Sequence, residues 1–391
     1  MKKETKKAPT IRFRGFTDDW EQRKLGDIVD FLDTQRKPLT ENIREKGPYP
    51  YYGASGIVDY VAGYIFDEEL VLLSEDGANI TDRNYPVCFL ASGKYWVNNH
   101  AHVLKTKEGI DNNFICNSLE CKDFSIYNTG MAMPKLNQDI CKRIPVDFPT
   151  YDEQEKIGNY FRDIDYFITL HQRKLDQLKK LKKYFLQNLF PAKGEKVPRI
   201  RFKGFTGDWE QRKLGDICGV YDGIHQTPDY QEDGVMFLSV ENIATLTSEK
   251  YISEDAYNRN YKAYPEKGDI LMTRIGDVGT PHVVETNEKL AYYVSLALLK
   301  PKGIDSYFLN NAIQTSPFQK GLLERTLLTA IPMKINKDEI GKVDISFPVN
   351  ISEQKQIGSY FRNLDNLITL HQRKLNQLQT MKKFMLQNLF I

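Results

Sequence analysis

The chain has 391 residues, a formal net charge of +2 and 41% hydrophobic residues, enough for two or three domains that each bury a core. No stretch is apolar enough to span a membrane, and the basic start lacks the apolar segment of a signal peptide, so the sequence predicts a cytoplasmic protein. Its five cysteines show no CxxC spacing, which predicts free thiols and no metal site.

Two segments of the chain occur twice. Residues 11–28, IRFRGFTDDWEQRKLGDI, return at 200–217 with two substitutions. Residues 153–190, which begin EQEKIG, return at 353–390 with 25 of 38 positions identical. Internal repeats decide an architecture before any local pattern does. The sequence therefore predicts a tandem duplication.

The stretches between the repeats differ in sequence, and we call residues 29–150 the first variable domain and residues 218–350 the second variable domain. Short runs of Val, Ile, Tyr and Phe, broken by Gly, Pro and Asn, predict mostly β structure with a few helices. In both domains an apolar run ends in a glycine turn, at Gly77 and Gly276. Basic residues number 12 against 17 acidic ones in the first domain and 13 against 18 in the second. The basic excess therefore lies in the repeated segments.

The repeat at 153–190 predicts a long helix, because its core-like positions alternate in spacings of four and three residues, the heptad pattern of paired helices. These positions are Ile157, Phe161, Ile164, Ile168, His171, Leu175, Leu178, Lys182, Phe185 and Leu189, and in the second copy Ile357, Phe361, Leu364, Ile368, His371, Leu375, Leu378, Lys382, Met385 and Leu389. In the first copy only the histidine and the lysine interrupt the seam, and Leu181 is expected to cover for Lys182. Neither helix can bury its seam alone, so the two copies are predicted to pack on each other.

A duplicated unit favours a pseudo-twofold axis, which makes the paired helices antiparallel. Each helix spans about 57 Å at about 1.5 Å per residue, so the variable domains are expected at opposite ends of a rigid spacer, with His171 and His371 meeting near the axis as satisfied core side chains. The predicted fold is α+β, with two mostly β domains separated by a long antiparallel two-helix coiled coil. The predicted divisions are an N-terminal arm with the first repeated segment (1–28), the first variable domain (29–150), the first spacer helix (151–190), a linker with the second repeated segment (191–217), the second variable domain (218–350) and the second spacer helix (351–391).

This organisation resembles the specificity subunit of type I restriction-modification enzymes. The resemblance covers nearly the whole chain and rests on the order, twice over, of a variable domain followed by a helix that opens with an EQ.KIG type sequence, at Glu153 and at Glu353. The strings YPYYGASGI, LLSEDGANI, VNNHAHVLK and DILMTRIGDVGT are also similar to that family.

The resemblance implies that each variable domain is a target-recognition domain that reads one half of a bipartite, asymmetric DNA site, while the helices fix the gap between the halves. It implies two adenine-N6 DNA methyltransferase subunits docked on the helical regions, and motor-nuclease subunits that join for ATP-dependent cleavage. S-adenosylmethionine, ATP and Mg²⁺ are then expected on these partners, and no cofactor is expected on this chain.

The residues themselves favour a non-catalytic protein. The sequence contains no GxxxxGK[ST] phosphate loop, no Asn-Pro-Pro-aromatic or Asp-Pro-Pro-aromatic methyltransferase signature and no credible nuclease set of carboxylates and lysine. The HAH string at 100–102 could place two metal ligands on one strand face, but no third ligand accompanies it at a suitable spacing. A structural or DNA-facing role is therefore favoured over a metal site.

Base reading requires side chains with hydrogen-bonding groups on loops that can enter a groove, and positioning requires donors to phosphate. The candidates for DNA binding are Arg36, Lys37, Ser74, Asp76, Asn79, Asn98, Asn99, His100, Lys135 and Asn137 in the first variable domain, and His225, Gln226, Thr273, Arg274, Asp277, Thr280, Lys334 and Asn336 in the second. Arg274 is the leading single candidate. The helix lysines Lys179, Lys180, Lys182 and Lys183 are expected on a solvated or partner-facing flank.

A second class of protein also fits parts of the pattern. A non-catalytic coiled-coil scaffold whose two globular ends bind proteins would explain the heptads and the acidic domains. It explains poorly why the domains diverge while their flanks stay nearly identical, which is what exchange of sequence-reading modules would produce. A self-contained restriction enzyme fused to a recognition subunit is disfavoured by the length and the missing motifs. The DNA target, the spacer length and the presence of a nuclease partner stay open from the sequence.

Overall fold

The computed structural model describes residues 8–391. They fold as two compact units: the first contains the described residues up to Gln172 together with Arg373–Ile391, and the second contains Arg173–Gln372. Each unit holds one variable domain, the first part of the long helix that follows it and the last part of the other long helix.

The first unit is a β domain with short helices and a long helix leading out of it. Its strands are β1 (Glu21–Lys24), β2 (Val29–Phe31), β3 (Lys46–Gly53), β4 (Gly56–Val61), β5 (Phe66–Asp67), β6 (Leu70–Ser74), β7 (Cys88–Ala91), β8 (Lys94–Val97), β9 (Ala101–Thr106) and β10 (Pro145–Phe148). Its helices are α1 (Leu25–Ile28), α2 (Asn79–Asp82), α3 (Asn112–Glu120), α4 (Gln138–Cys141) and the first part of α5 (Tyr151–Asn188). Two four-stranded sheets, with the orders β2-β9-β6-β7 and β4-β3-β8-β5, accompany the pair β1-β10.

The second unit has the same plan. Its strands are β11 (Glu210–Lys213), β12 (Cys218–Asp222), β13 (Val235–Leu238), β14 (Tyr251–Ile252), β15 (Ile270–Ile275), β16 (Asp277–Val283), β17 (Leu290–Tyr292), β18 (Leu296–Pro301) and β19 (Asp344–Phe347). Its helices are α6 (Leu214–Ile217), α7 (Glu254–Asn260), α8 (Ser306–Ile313), α9 (Ser316–Leu323), α10 (Lys337–Gly341) and the first part of α11 (Ile351–Asn388). The sheets have the orders β12-β18-β15-β16, β14-β13-β17 and β11-β19. We call β12-β18-β15-β16 the main sheet of the second unit and its equivalent β2-β9-β6-β7 the main sheet of the first.

The central strand of each main sheet is buried on both faces. In β6, Val71 and Leu73 point into one hydrophobic core, whereas Leu70 and Leu72 point into another, as the period of two in a strand requires. A strand covered on both sides reads as a continuous apolar run rather than an alternating one. This is why β6 (LVLLS) has five buried residues in succession.

The repeated segment at 11–28 is an integral part of the first unit, while residues 1–7 of the predicted N-terminal arm lie outside the described residues. Its strand β1 pairs antiparallel with β10, in the register Glu21 to Phe148. Trp20 is 6% exposed and its ring contacts Phe114 edge to face at 5.7 Å. The strand pair β11-β19 of the second unit has the equivalent register, Glu210 to Phe347. Each copy of this segment therefore completes its variable domain.

The EQ.KIG sequence is the joint between the first variable domain and its helix. Glu153 is 1% exposed and accepts a bidentate ion pair from Arg12, whose Nε lies 2.7 Å from Oε1 of Glu153. The Gln154 side chain accepts from the backbone N–H of Asp111 at 3.2 Å and donates to the carbonyl oxygen of Pro149 at 2.9 Å. A Cβ at position 158 would overlap the Asp111 carboxylate, and the absence of one in Gly158 lets the N-terminus of α3 lie against α5.

The second unit repeats this joint. Arg201 pairs with Glu353, with 2.7 Å between Nε and Oε1. The Gln354 side chain accepts from the backbone N–H of Asp305 at 2.9 Å and donates to the carbonyl oxygen of Pro348 at 2.7 Å. The joint therefore explains why Glu, Gln and Gly recur together at the start of both helices.

Within the first unit, the start of α5 runs antiparallel to the end of α11. The rings of Phe161 and Phe390 stack with centroids 5.8 Å apart. Nζ of Lys382 lies 2.7 Å from Oδ1 of Asp165. The sequence predicted antiparallel pairing, and this arrangement confirms it.

Within the second unit, the end of α5 runs antiparallel to the start of α11. Phe185 contacts Tyr360 edge to face at 5.0 Å, and Nζ of Lys182 lies 2.8 Å from Oδ1 of Asp365. Leu181 is 40% exposed, so it does not cover for Lys182 as expected. The lysine keeps its place in the seam because an aspartate of the opposite helix pairs with it.

Along each long helix, buried and half-buried positions of the seam alternate. The buried positions are Ile157, Phe161, Ile164, Leu175, Leu178, Leu189, Ile357, Phe361, Leu364, Leu375 and Leu389. The half-buried positions are Ile168, His171, Lys182, Phe185, Ile368, His371, Leu378, Lys382 and Met385. His171 belongs to the first unit and His371 to the second, and their meeting stays a prediction.

Candidate DNA interface

Two neighbouring segments at one end of the main sheet bring most of the candidate residues of the first variable domain together. The glycine turn after β6 is held by residues 128–136, which we call the first tip loop. The N–H of Gly77 donates to the carbonyl oxygen of Pro134 at 3.0 Å, and the N–H of Leu136 donates to that of Glu75 at 2.7 Å. Asp76 and Lys135 form an isolated β-bridge, so the turn and the tip loop form one surface.

The second variable domain has the same arrangement. The glycine turn after β15 is held by residues 327–335, the second tip loop. The N–H of Gly276 donates to the carbonyl oxygen of Met333 at 2.8 Å, and the N–H of Ile335 donates to that of Arg274 at 3.0 Å. The corresponding β-bridge joins Ile275 to Lys334. The structure thus places Lys135 and Lys334 at equivalent points of the two domains.

The candidate residues divide by exposure. The exposed ones are Lys37, Asn99, His100, Asn137, His225, Gln226, Asp277, Thr280, Lys334 and Asn336, and the half-buried ones are Arg36, Asp76 and Lys135. The His100 Nδ1 atom lies 2.9 Å from an Asp76 carboxylate oxygen, which places the imidazole over the glycine turn. The exposed side chains are geometrically available to a ligand, whereas Arg36 is bonded to Glu75.

Five candidates are buried, and four of them shape the turns from within. Ser74 donates to the carbonyl oxygen of Val87 at 3.0 Å, and Asn79 donates to that of Tyr85 at 2.7 Å. The other two are Asn98, which accepts from the N–H of His100 at 2.8 Å, and Thr273, which accepts from the N–H of Thr280 at 2.9 Å. A small polar residue near a turn gives the same sequence pattern whether its side chain bonds to the nearby backbone or faces solvent. The sequence therefore could not separate these two roles.

Arg274, the leading candidate from the sequence, is 5% exposed. Its Nη1 pairs with the carboxylate of Asp222 and its Nε donates to the carbonyl oxygen of Ile335 at 3.0 Å. In this conformation the guanidinium is committed to the protein and is not open to a groove. A base contact by Arg274 stays a prediction, and the geometry favours a structural role instead.

A buried charged cluster lies beneath the first glycine turn. Nδ1 of His102 lies 2.7 Å from Oδ2 of Asp33, and its Nε2 lies 2.7 Å from the carbonyl oxygen of Leu136. Burial lowers the pKa of His102, but hydrogen bonds to Asp33 and Cys141 outweigh it and raise the pKa to about 10. The ring is therefore a doubly donating imidazolium.

The same cluster is the place where a metal would be considered. Asp33, Glu75 and His102 bring potential ligand atoms within 4.8 Å of one another. Arg36 already supplies the cation, since its Nη1 lies 2.6 Å from Oε2 of Glu75. A metal ligand histidine needs a free ring nitrogen, and both nitrogens of His102 donate. The cluster fits an ion-pair network better than a metal site.

The sequence reasoning missed large apolar side chains at the ends of the tip loops. Met131 is 104% exposed and Met133 is 61% exposed in the first tip loop, and Ile331 is 101% and Leu328 is 61% exposed in the second. The signal that could have found them is an apolar residue isolated between turn residues, outside any period of a strand or helix.

The long helices carry a second apolar stripe that faces away from the seam. Its exposed residues are Tyr166, Phe167, Leu170, Leu181 and Tyr184 on α5, and Leu367, Leu370, Met381 and Phe384 on α11. Four of these positions are equivalent in the two copies. Lys179, Lys180 and Lys183 are also exposed. Apolar surface repeated in this way is typical of an interaction site rather than of a solvated helix face.

Two variable domains built on one frame, each joined to a paired helix by a repeated segment, define a duplicated recognition protein. A family model described as the type I restriction modification DNA specificity domain matches residues 17–180 and again residues 206–380, so the chain belongs to this family. It is a specificity subunit of a type I restriction-modification system, a non-catalytic DNA-recognition component rather than an enzyme.

Similar proteins agree with this assignment. A Haemophilus influenzae protein provisionally named a type I restriction enzyme specificity subunit is 27% identical over 364 residues, which is 89% of this chain and 89% of that protein. The type I restriction enzyme MjaVIII specificity subunit of Methanocaldococcus jannaschii is 23% identical over 393 residues, 94% of this chain and 91% of that protein. The crystal structure of a type I restriction-modification S subunit from M. genitalium has the same fold, with a TM-score of 0.76 and 15% identity over 98% of this chain and 99% of that one. No helix within residues 8–391 combines the length and apolarity that crossing a membrane requires.

Proposed function

We propose that each variable domain reads one half of a bipartite, asymmetric DNA site, with its glycine turn and tip loop facing the duplex. The observation that carries this proposal is that the two tips share a backbone frame and present different side chains. Gly77 and Gly276 make equivalent hydrogen bonds to their tip loops. Beside them, however, the first domain exposes Asn99 and His100, and the second exposes Thr280. A constant frame with variable donors is what two different half-sites require.

The chemistry of these tips suits a DNA groove. Asparagine, glutamine and lysine can bond to base edges or phosphates, and Gln226, Asn336 and Lys334 are exposed in the second domain. The exposed apolar residues Met131 and Ile331 can contact thymine methyl groups or the edge of a base step. The tips combine both kinds of contact.

The helices are the proposed docking surface for the methyltransferase subunits. The exposed apolar stripe occurs once on α5 and once on α11, at positions such as Leu170 and Leu370. Two equivalent stripes would hold two copies of one partner. Motor-nuclease subunits would join the same assembly, and S-adenosylmethionine, ATP and Mg²⁺ would bind to these partners. The acidic balance of the variable domains supports this division, because the enclosing partners can then supply much of the phosphate neutralisation on which DNA affinity depends.

The experiment is genome-wide mapping of N6-methyladenine in a methylation-free host that expresses this chain with its neighbouring methyltransferase. The expected result is one bipartite, asymmetric motif with a fixed gap. Replacing His100 and Asn99 by alanine should relax the half read by the first variable domain and leave the other half intact. A stable complex without any methylation motif would contradict the proposal and favour the protein-binding scaffold.

A further inference from the structure

The carboxylate under the tip loop occupies equivalent positions in the two variable domains. Asp33 follows β2 and Asp222 ends β12, and they are 189 residues apart, the same offset that relates the repeated segments at 11–28 and 200–217. Their sequence neighbours differ, VDFLD in one domain and CGVYD in the other. Retention of an aspartate in a divergent strand needs a reason in the structure.

The acceptor on the tip loop is also equivalent. The carbonyl oxygen of Leu136 accepts from Nε2 of His102 at 2.7 Å, and the carbonyl oxygen of Ile335 accepts from Nε of Arg274 at 3.0 Å. Leu136 and Ile335 correspond because their N–H groups donate to the carbonyl oxygens of Glu75 and Arg274, which occupy equivalent positions at the ends of β6 and β15. Both carbonyls are bonded to a cation.

The cation itself comes from different strands. In β6 and β9, Leu73 pairs with His102, whereas in β15 and β18 the equivalent pair is Met272 with Ala297. The second domain thus has alanine where the first has its histidine. The residue two positions after Met272 is Arg274, and the equivalent residue of the first domain, two positions after Leu73, is Glu75. The cation therefore lies on neighbouring strands of the sheet in the two domains, whereas the carboxylate and the carbonyl oxygen occupy equivalent positions.

We propose that this buried bridge of carboxylate, cation and tip-loop carbonyl positions each tip loop relative to the main sheet, in the arrangement required for reading DNA. The inference rests on the proposed function, because it assigns a purpose to the loop that faces the duplex. The bridge joins the edge strand of the main sheet to the tip loop through two directional contacts, so the loop cannot tilt without breaking a charged hydrogen bond. Asp33, His102, Asp222 and Arg274 are positioning residues and do not touch bases.

Burial supports positioning rather than reading. His102 is 1% and Arg274 is 5% exposed, whereas Met131 and Ile331 on the loops above them are fully exposed. A buried ion pair that loses one partner leaves an uncompensated charge, which is strongly unfavourable. The loop therefore keeps one arrangement even though its exposed side chains are free to differ.

The test uses the full complex with its methyltransferase and three versions of the second variable domain. The first carries Arg274→Ala, the second carries Arg274→Ala together with Ala297→His, and the third carries Asp222→Asn. Lys300→Ala is the matched control, because Lys300 lies on β18 and pairs with the exposed Glu266 and the buried Asp269 away from the tip loop. Methylation motifs and thermal unfolding are measured for each.

Arg274→Ala and Asp222→Asn are expected to make the second half-site degenerate by at least tenfold in methylation preference, with the first half-site and the gap unchanged. The double variant is expected to restore the wild-type second half, because a histidine on β18 would donate to Asp222 and Ile335 as His102 donates to Asp33 and Leu136. An intact motif with Arg274→Ala refutes the inference. A double variant whose second half-site stays degenerate also refutes it. Arg274 would then be assigned to base reading if the unfolding temperatures are unchanged, or to stabilising the fold if they fall in parallel. Absence of any motif with the wild-type chain refutes the proposed function itself.

Discussion

Gly158 offers a direct test of the joint between the first variable domain and its helix. Alanine at this position would improve helix propensity by up to about 1 kcal/mol, but its Cβ would overlap the carboxylate of Asp111. That carboxylate caps α3 by accepting from the N–H of Phe114 at 2.7 Å. Losing such a cap costs about 0.5–2 kcal/mol, and overpacking costs about 1–3 kcal/mol more. The clash therefore outweighs propensity, and Gly158→Ala should destabilise the first unit by about 0.5–4 kcal/mol after the gain in propensity is subtracted.

Scanning calorimetry of the full chain measures this effect. A unit of this size loses roughly 2–4 °C in unfolding temperature per kcal/mol. Gly358→Ala should lower the transition of the second unit, since its Cβ would lie 2.6 Å from Oδ1 of Asp305 and 2.8 Å from the nitrogen of Phe308. Asn159→Ala, at an exposed position of the same helix, is the control and should be neutral or stabilising. A Gly158→Ala chain as stable as that control would show that propensity dominates and that the joint is loose.

Three further predictions concern the helices and the buried cluster. Asp165→Lys or Lys382→Asp alone should destabilise the helix pair by about 0.5–1 kcal/mol, and the double charge reversal should restore most of the loss; additive effects in a double-mutant cycle would show that the ion pair is inert. Deleting one heptad from each helix, residues 168–174 and 368–374, removes about 10 Å of helix and should shorten the gap in the methylation motif by about three base pairs; altered half-sites with an unchanged gap would contradict the spacer role. His102, with its pKa raised to about 10, should contribute its full stabilisation below pH about 6.5 and lose it as pH rises through 10, with a slope of at most about 1.4 kcal/mol per pH unit in denaturant titrations; a profile identical to that of His102→Gln would disprove this.

The long helices and their antiparallel pairing followed from the sequence because a heptad seam repeated in two copies leaves few alternatives. The glycine turns were also predictable, since Gly77 and Gly276 both have positive φ angles, 111° and 84°, which favour glycine. Lys182 and Lys382 looked like interruptions of the seam. The sequence of one helix does not show which residue of the other helix lies opposite it, so the aspartates that pair with these two lysines could not be predicted.

The candidate interface was only partly predictable for the same reason. Arg274 and Lys334 are both basic residues near the second glycine turn, yet one is buried in an ion pair and the other is exposed. What separates them is Asp222, which comes from a distant part of the chain. Met131 and Ile331 were overlooked because only hydrogen-bonding side chains were considered as DNA contacts, although both lie next to turn residues and are fully exposed.

The joint at the start of each long helix has a consequence for how such proteins can change over time. Gln154 and Gln354 bind main-chain groups of the preceding domain, an N–H and a carbonyl oxygen. Arg12 and Arg201 bind the glutamates of the repeated helices and main-chain oxygens of their own repeated segments. Most of the polar contacts at the joint therefore depend little on side chains of the variable domain. A foreign domain inserted by recombination at the repeats would offer the helix the same main-chain partners. Under the half-site reading proposed above, one such exchange would change the DNA specificity without a compensating mutation in the helices.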